Sequence, residues 1–262
     1  MLSKIFATIA VVITGSILLY GVTDFPAFGD PKSPANAGVP GSESVSQYFI
    51  TESYKDTKVP NLVTSVLADY RGYDTMFETV VIFAAGMAIF AILRVVGNEN
   101  DAEKKQVAEN TFTNGDHSRI IVGTTCRIVV PVIQLFALYV IAHGHHSPGG
   151  GFQGGVILGA SFIIIALSDR LNAALRRFSE KSYITVAAIG IVIYAAFGVV
   201  AQILGANFLD YGSLDPLLPE GREMARSHSM LGVEIGVAFT VTAIMFAIYA
   251  NLSTRGELRN GL

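Results

Sequence analysis

The sequence predicts an all-α integral membrane protein with about six transmembrane helices. Of its 262 residues, 51% are hydrophobic and only 15% are charged, and the mean hydropathy is +0.50. A soluble domain carries roughly a quarter charged residues. The apolar residues here fall in long runs, and about 20 consecutive apolar residues are enough to cross roughly 30 Å of hydrocarbon. These observations exclude a single soluble domain.

The apolar runs define the order of the spans along the chain. We predict spans at residues 4–22, 74–96, 120–142, 151–168, 182–204 and 229–251. The first follows a lysine as a signal peptide does, but no A-x-A-like cleavage site follows it, so we expect a retained helix. Lysine and arginine are richer in the segments after the second and fourth spans and in the tail than in the opposite segments. This bias predicts cytoplasmic N- and C-termini.

Composition along the chain predicts two units joined by a linker. Residues 1–96 hold an anchor helix, a Pro- and Gly-rich extracytoplasmic stretch and the second span. Residues 120–262 hold four spans with short connections. The intervening segment 97–119 is polar and mixed in charge, as linkers are. A fusion of two subunits would have this layout.

Charged residues at the start of the second span are the first candidates for ion handling. Asp74 and Glu78 are four residues apart and therefore share one helix face. Asp74 is expected to cap the helix, with Thr75 as its first residue. Glu78 lies one turn deeper, where an ionised carboxylate costs at least a few kcal/mol, so we expect it to take part in a proton or cation path.

The third span carries an arginine in a predicted membrane helix. Arg127, Pro131, Gln134 and Leu138 repeat at helical spacing and form one face. Proline removes a backbone hydrogen bond from the helix, and a kinked polar face is expected to look into the protein rather than into lipid. Two readings of Arg127 remain open, a role in transport and a structural ion pair with a carboxylate on another helix.

Glu234 is the candidate carboxylate in the last span. Gly232 and Gly236 flank it and allow another helix to approach closely. If the third and sixth spans touch, Arg127 is the natural partner of Glu234. A proton relay and a static buried pair both fit this pattern.

The segment His143–Gly155, with the sequence HGHHSPGGGFQGG, is the strongest local signal. Its glycines permit an irregular backbone, which at membrane depth must face protein or water. Gly151, Gly155 and Gly159 recur every four residues and predict a small face for helix packing. His145 and His146 could serve an ion pathway, and His228, near the last span, could titrate near neutral pH. A structural hairpin and a metal site that uses all three loop histidines are the alternatives, although no cysteine or nearby carboxylate completes a metal site.

The segment Gly144–Gly155 resembles the signature of the MnhB/MrpB subunit of Mrp-type multi-subunit Na⁺/H⁺ antiporters, whose relatives include antiporter-like modules of membrane-bound hydrogenases. Arg127, Pro131 and Glu234 suit that family, and the four-span length also matches. The resemblance implies that His145, Pro148 and Phe152 matter for antiport.

A second resemblance covers residues 45–96. Residues 59–64 (VPNLVT) and 69–79 (DYRGYDTMFET) are similar to the C-terminal extension of the large MrpA subunit, which exists as a separate small subunit in membrane-bound hydrogenases. Met76 and Phe77 replace the usual Leu-Gly but leave the glutamate in place. The resemblance implies that Glu78 is a carboxylate on an ion path.

The two resemblances imply a membrane subunit of a multi-subunit cation/proton antiporter or of an antiporter-like module, in a prokaryotic inner membrane. Its expected partners are other membrane subunits, the transported Na⁺ and H⁺, and lipid, with no nucleic acid. No cofactor or metal is expected. One cysteine cannot hold an iron–sulfur cluster, so the chain is expected to be a transporter subunit and not itself the oxidoreductase, even if it belongs to a redox-driven complex such as a membrane-bound hydrogenase. The alternative is a scaffold that seals and anchors neighbouring ion-conducting subunits.

Overall fold

The all-α prediction is confirmed for the part of the chain that the structure describes. The structure is a computed structural model that describes residues 2–30, 33, 44–96, 116–169, 171–218 and 220–254. Every regular element in these ranges is helical. The chain divides into two compact units, Met1–Glu52 and Ser53–Leu262. Most of the predicted linker 97–119 lies outside the described residues.

The described ranges contain eight α-helices of seven or more residues. They are α1 (Leu2–Val22), α2 (Val45–Thr57), α3 (Gly72–Val96), α4 (Asp116–Ala142), α5 (Gly151–Asp169), α6 (Leu171–Arg177), α7 (Glu180–Ile203) and α8 (Arg222–Ser253). Between α2 and α3, one short helical turn, Leu62–Thr64, continues as a π-helix, Ser65–Tyr70. A 3₁₀ turn, Tyr211–Leu214, lies between α7 and α8.

Six of these helices (α1, α3, α4, α5, α7 and α8) are long and apolar enough to cross a membrane, which confirms the predicted spans for the described residues. The last helix begins at Arg222, seven residues before the predicted start of its span. Hydropathy could not detect this extension because its first two turns are polar. The connection between the fifth and sixth predicted spans is therefore partly helix.

Helix α8 is the centre of the second unit. About two-thirds of its span, 67%, is buried inside the chain, against 39% or less for every other candidate span of the described residues. Thr240 Oγ1 donates to the carbonyl of Ala187 on α7 at 2.9 Å, and Thr242 Oγ1 donates to that of Gly155 on α5 at 3.1 Å. Such interhelical hydrogen bonds fix the helices against each other in lipid.

Glycines set how closely the neighbours approach α8. Gly155 and Gly159 of α5 face its backbone, such that an added β-carbon at Gly159 would lie 3.1 Å from the Thr242 carbonyl oxygen. Gly190 of α7 meets the backbone of Gly236, and Gly86 of α3 faces Ile244. Because the hydrophobic effect does not drive association within lipid, small residues that permit close packing take its place.

Candidate functional site

The connection 143–150, here called the glycine loop, joins α4 to α5 and is held by the segment before α3. Asn61 Nδ2 donates to the carbonyl oxygens of Gly144 at 2.7 Å and Ser147 at 2.9 Å. Thr64 Oγ1 donates to Gly144 O at 2.8 Å, and the backbone N–H of Asn61 donates to His145 O at 3.0 Å. An irregular backbone at the end of a bundle needs such partners, so these contacts fix the loop in one conformation.

The Glu234 carboxylate lies directly under the glycine loop. An added β-carbon would stand 2.8 Å from Glu234 Oε2 at Gly144, and 2.9 Å from Oε1 at Gly150. Gly150 has a φ of +125°, a conformation that favours glycine. Glu234 is only 9% exposed, and its Oε2 has no hydrogen-bond partner among the described residues. The loop glycines therefore make room for the Glu234 carboxylate. Its Oε2 has no direct hydrogen-bond partner in the described part of the chain.

His145 is the buried histidine of the glycine loop. It is 9% exposed, and its Nε2 has no hydrogen-bond partner in the described part of the chain. Burial lowers the pKa of His145, the neighbouring His146 and His228 lower it further, and a bond to the Ser227 backbone opposes them. His145 is therefore a neutral imidazole against the start of α8 at neutral pH.

A buried ion pair joins the π-helical segment to α8. Arg226 Nε donates to Asp69 Oδ2 at 2.7 Å, and the Asp69 side chain is only 8% exposed. The Arg226 guanidinium also lies 5.5 Å from the Tyr70 ring centroid, a distance typical of cation–π contacts. Burial raises the pKa of the Asp69 carboxyl, the bond to Arg226 opposes this, and Asp210 and Asp56 add to it.

Two buried tyrosines have their hydroxyls beside Gly72, three residues after Asp69. The Tyr194 hydroxyl donates to Gly72 O at 2.8 Å, and the Tyr211 hydroxyl faces that of Tyr194 without a well-aligned hydrogen bond. Both hydroxyl oxygens lie near one point, 3.7 Å and 3.5 Å respectively from where a β-carbon on Gly72 would stand. Tyr194 is within electrostatic reach of Glu234 and of Asp69.

The two acidic residues of α3 lie on the surface of this chain. Glu78 and Asp74 are both exposed. The expectation that Asp74 caps the helix is wrong, because α3 begins at Gly72 and Asp74 lies in its first turn. There it accepts a hydrogen bond from Arg71 Nε at 2.6 Å, and a carboxylate in the first turn also suits the helix dipole.

The predicted contact between Arg127 and Glu234 is not formed. Glu234 lies beside the loop that follows Ala142, whereas Arg127 is fifteen residues earlier on α4, roughly 22 Å along the helix axis at 1.5 Å per residue. Arg127, Pro131 and Leu138 are exposed on this chain. This part of the predicted face is therefore not covered by this chain, in which α4 buries Val130 and Ala137, whereas Gln134 of the same face contacts α5.

The remaining predicted positions lie around the loop and on the helix-packing faces. Gln134 Nε2 donates to Ser161 Oγ on α5 at 3.1 Å. His146, Pro148 and Phe152 are exposed. His228 is also exposed, and its Nε2 lies 3.4 Å from Glu220 Oε2.

The predicted packing glycines all contact neighbouring helices. Gly151, Gly155 and Gly159 face α8, Gly232 faces Phe197 of α7, and Gly236 faces Gly190. The predicted loop histidines differ in burial, with His145 buried and His146 exposed, and the rings of His143 and His146 lie 5.8 Å apart between centroids. The described residues contain no group of three or more His, Cys, Asp or Glu side chains placed to hold a metal ion.

Five residues of the site were missed from the sequence: Asn61, Asp69, Tyr194, Tyr211 and Arg226. Asn61, Asp69 and Tyr211 fall outside the apolar runs, and a tyrosine within a span, such as Tyr194, is unremarkable by composition. The polar segment before the last span contains Arg222 and Arg226. Arginines near a membrane need carboxylate partners, and this was the one signal that could have pointed to Arg226 and Asp69.

The fold and the buried carboxylate define a multi-pass helical membrane protein with a glycine loop closing one end of its bundle. Residues 121–247 match the domain related to the MnhB subunit of Na⁺/H⁺ antiporter, and residues 37–108 match MbhE, a subunit of MBH. These two matches, one after the other along the chain, confirm both resemblances.

Named relatives extend this result. The chain is 27% identical over 183 residues to a Rhizobium meliloti protein named as a probable K(+)/H(+) antiporter subunit of the A/B type, covering 65% of this chain and 18% of the relative. It is 34% identical over 92 residues to the B-type subunit of the Na(+)/H(+) antiporter of Bacillus subtilis, covering 35% of this chain and 64% of the relative. The chain thus spans less than two-thirds of either relative.

Two solved structures share the fold. The Mrp complex from Dietzia sp. DQ12-45-1b contains a chain that is 24% identical, with a TM-score of 0.61, covering 95% of this chain and 26% of that one. The archaeal membrane-bound sulfane sulfur reductase, a respiratory membrane complex, contains a chain that is 21% identical, with a TM-score of 0.60, covering 96% of this chain and 98% of that one.

Proposed function

We propose that this protein is a membrane subunit of a cation/proton antiporter module and that Glu234 lies on its ion or proton path. The observation that carries the proposal is the buried Glu234 carboxylate, enclosed by Gly144 and Gly150, with no hydrogen-bond partner for its Oε2 among the described residues. Ionisable residues inside a membrane are costly and serve function by default. The MnhB-related domain that contains Glu234 supports the same conclusion.

Two exposed charged residues, Glu78 and Arg127, would contribute to the path at contacts with other subunits. Glu78 is exposed on α3, so it would act where another subunit packs against this chain, and its carboxylate would join a path built between subunits. Arg127 would lie at such a contact as well. We propose further that the chain binds partner subunits, that the cation is Na⁺ or K⁺, and that this chain holds no redox centre. The proposal also includes a fusion of two units at 97–119. Both termini would be cytoplasmic, and the glycine loop would then lie on the extracytoplasmic side.

Glu234→Gln tests the proposal, because it keeps the size of the side chain and removes its titration. The complex is purified with the tagged chain, reconstituted in proteoliposomes, and assayed for Na⁺- and K⁺-dependent proton movement. We expect at least a tenfold loss of exchange with normal assembly. Glu223→Gln is the matched control, since Glu223 is exposed in the first turn of the same helix.

A static scaffold is the second candidate function. The Asp69–Arg226 ion pair and the hydrogen bonds from Asn61 favour it, because they fix the loop end of the bundle. A scaffold predicts that Glu234→Gln lowers the yield of assembled complex and leaves exchange per assembled complex unchanged. That result would contradict the proposed role of Glu234.

A further inference from the structure

We propose that Tyr194 and Tyr211 form a proton relay that joins Glu234 to the Asp69–Arg226 pair at the loop end of the bundle. This inference rests on the proposed function and adds a route to its buried carboxylate. Glu234 and Arg226 are eight residues apart on α8, about 12 Å along the axis at 1.5 Å per residue. A proton on Glu234 needs polar groups to cross that distance.

The two phenols are the polar groups that we assign to this gap. Tyr194 and Tyr211 are buried, at 0% and 1% exposure, and their hydroxyls converge beside Gly72. Tyr194 is within electrostatic reach of Glu234 and Asp69, and Tyr211 of Tyr194 and Asp69. A hydroxyl both donates and accepts, so a pair of them can pass a proton along. A bridging water is the ordinary way to close a longer step.

The Tyr211 hydroxyl is the second sign of a relay, because it faces the Tyr194 hydroxyl without forming a well-aligned hydrogen bond to it. Buried hydroxyl groups are normally hydrogen-bonded, and an exception requires a physical reason. Leaving such a group unsatisfied is unfavourable. Tyr211 and Glu234 carry two of the four buried side-chain atoms without a partner in the described residues, and His145 and Ser229 carry the other two.

Proton transfer along this route conserves charge at every step. Protonated Glu234 gives its proton to the Tyr194 oxygen while Tyr194 passes its own to Tyr211, and Tyr211 passes its own to Asp69. Each phenol loses one proton and gains one, and the net result is ionised Glu234 and protonated Asp69. Burial, with Tyr194 and Asp69 nearby, raises the pKa of Tyr211 far above its usual range, so the relay works through neutral phenols.

The Asp69–Arg226 pair is the end of the route that receives the proton. Protonation of Asp69 leaves Arg226 charged but still beside the Tyr70 ring, and the Arg226 side chain is 21% exposed. The Asp69–Arg226 bond must open for the proton to leave. The titratable and charged groups around the route are Asp56, Asp69, Tyr70, His145, Asp210, Arg222, Arg226 and His228.

The test uses tyrosine-to-phenylalanine variants in the purified complex. The protonated Glu234 carboxyl is followed by its infrared C=O band, assigned as the band that Glu234→Gln removes, after transfer to D₂O. We expect Tyr211→Phe and Tyr194→Phe to slow hydrogen–deuterium exchange of this band at least tenfold. Because the two hydroxyls act in series in the proposed relay, the double variant should exchange no more slowly than the slower single variant.

Tyr183→Phe is the matched control, since Tyr183 is a fully buried tyrosine near the start of α7, eleven residues before Tyr194, and its hydroxyl accepts a hydrogen bond from Asn251. It should leave the band's exchange at the wild-type rate. If Tyr211→Phe exchanges within twofold of wild type, the relay is wrong. Wild-type complex without cation-dependent proton movement contradicts the proposed function, whereas the infrared exchange decides the relay separately.

Discussion

Gly151 lies directly against the backbone carbonyl of Glu234, so that a β-carbon at position 151 would overlap that oxygen. The first turn of α5 therefore packs on the turn of α8 that holds the buried carboxylate. The glycine face of α5 therefore packs directly against the proposed ion site at Glu234.

Gly151→Ala is expected to destabilise this contact. Overpacking a close-packed contact typically costs about 1–3 kcal/mol, and here the obstruction is backbone, which cannot rotate away. We expect a lower melting temperature of the complex in detergent and a lower yield of assembled complex. Gly15→Ala in α1 is the control, because nothing lies within 4 Å of its added β-carbon. Equal stability of the two variants would contradict the packing.

Asn61→Asp is expected to loosen the glycine loop. The aspartate keeps an oxygen that can accept from the Val63 N–H, but it cannot donate to Gly144 O and Ser147 O as Asn61 Nδ2 does. Two lost bonds at about 1 kcal/mol each should raise amide exchange in residues 143–150, measured by mass spectrometry. Asn207→Asp, at a position after α7 that is remote in sequence from the loop, serves as control. Unchanged loop protection would show that Asn61 does not hold the loop.

Replacing Arg226 is expected to destabilise the fold more than replacing its partner Asp69. Arg226→Ala leaves a buried carboxylate without its partner, whereas Asp69→Asn leaves an arginine that reaches solvent. At neutral pH the first change should cost about 3 kcal/mol or more, and the second should cost less. Arg71→Ala is the control because its pair with Asp74 is more than half exposed, which makes it worth at most about 1 kcal/mol.

The pH dependence of the same pair has a definite sign. Since the folded-state pKa of Asp69 is raised, the folded state binds more protons than the unfolded state above the ordinary aspartate pKa of about 4. Stability from this group therefore falls as pH rises from about 4 through the folded pKa. Asp69→Asn should remove this slope from melting temperatures recorded between pH 4 and 8. A slope that survives in Asp69→Asn would assign it to other groups.

His145 is expected to impose the opposite slope. Its folded-state pKa is lowered, so below the ordinary histidine pKa of about 6.5 the unfolded state takes up a proton that the folded state refuses. Stability is full above that value and is lost as pH falls toward the folded pKa. His145→Gln should flatten melting temperatures between pH 5 and 7. His146→Gln, at an exposed loop position, should leave the wild-type slope.

Periodicity and motif reasoning found the parts of the site that repeat or concentrate unusual residues. The apolar runs predicted six spans, and the spacing of Gly151, Gly155 and Gly159 predicted a packing face before any partner was known. Glu234 was selected because a carboxylate in an apolar run is costly. Arg127 was paired with it wrongly, because opposite charge says nothing about position along two helices.

What the sequence alone determined is the class of protein: membrane crossing depends on the length and hydropathy of each run, which are local properties. The tertiary structure alone decided which side chains meet. Asp69 with Arg226, Asn61 with the glycine loop, and Tyr194 with Tyr211 beside Gly72 join residues from 17 to 157 positions apart. Such contacts depend on how helices rotate and slide against one another, and close-packed glycines set that geometry only once the bundle has formed.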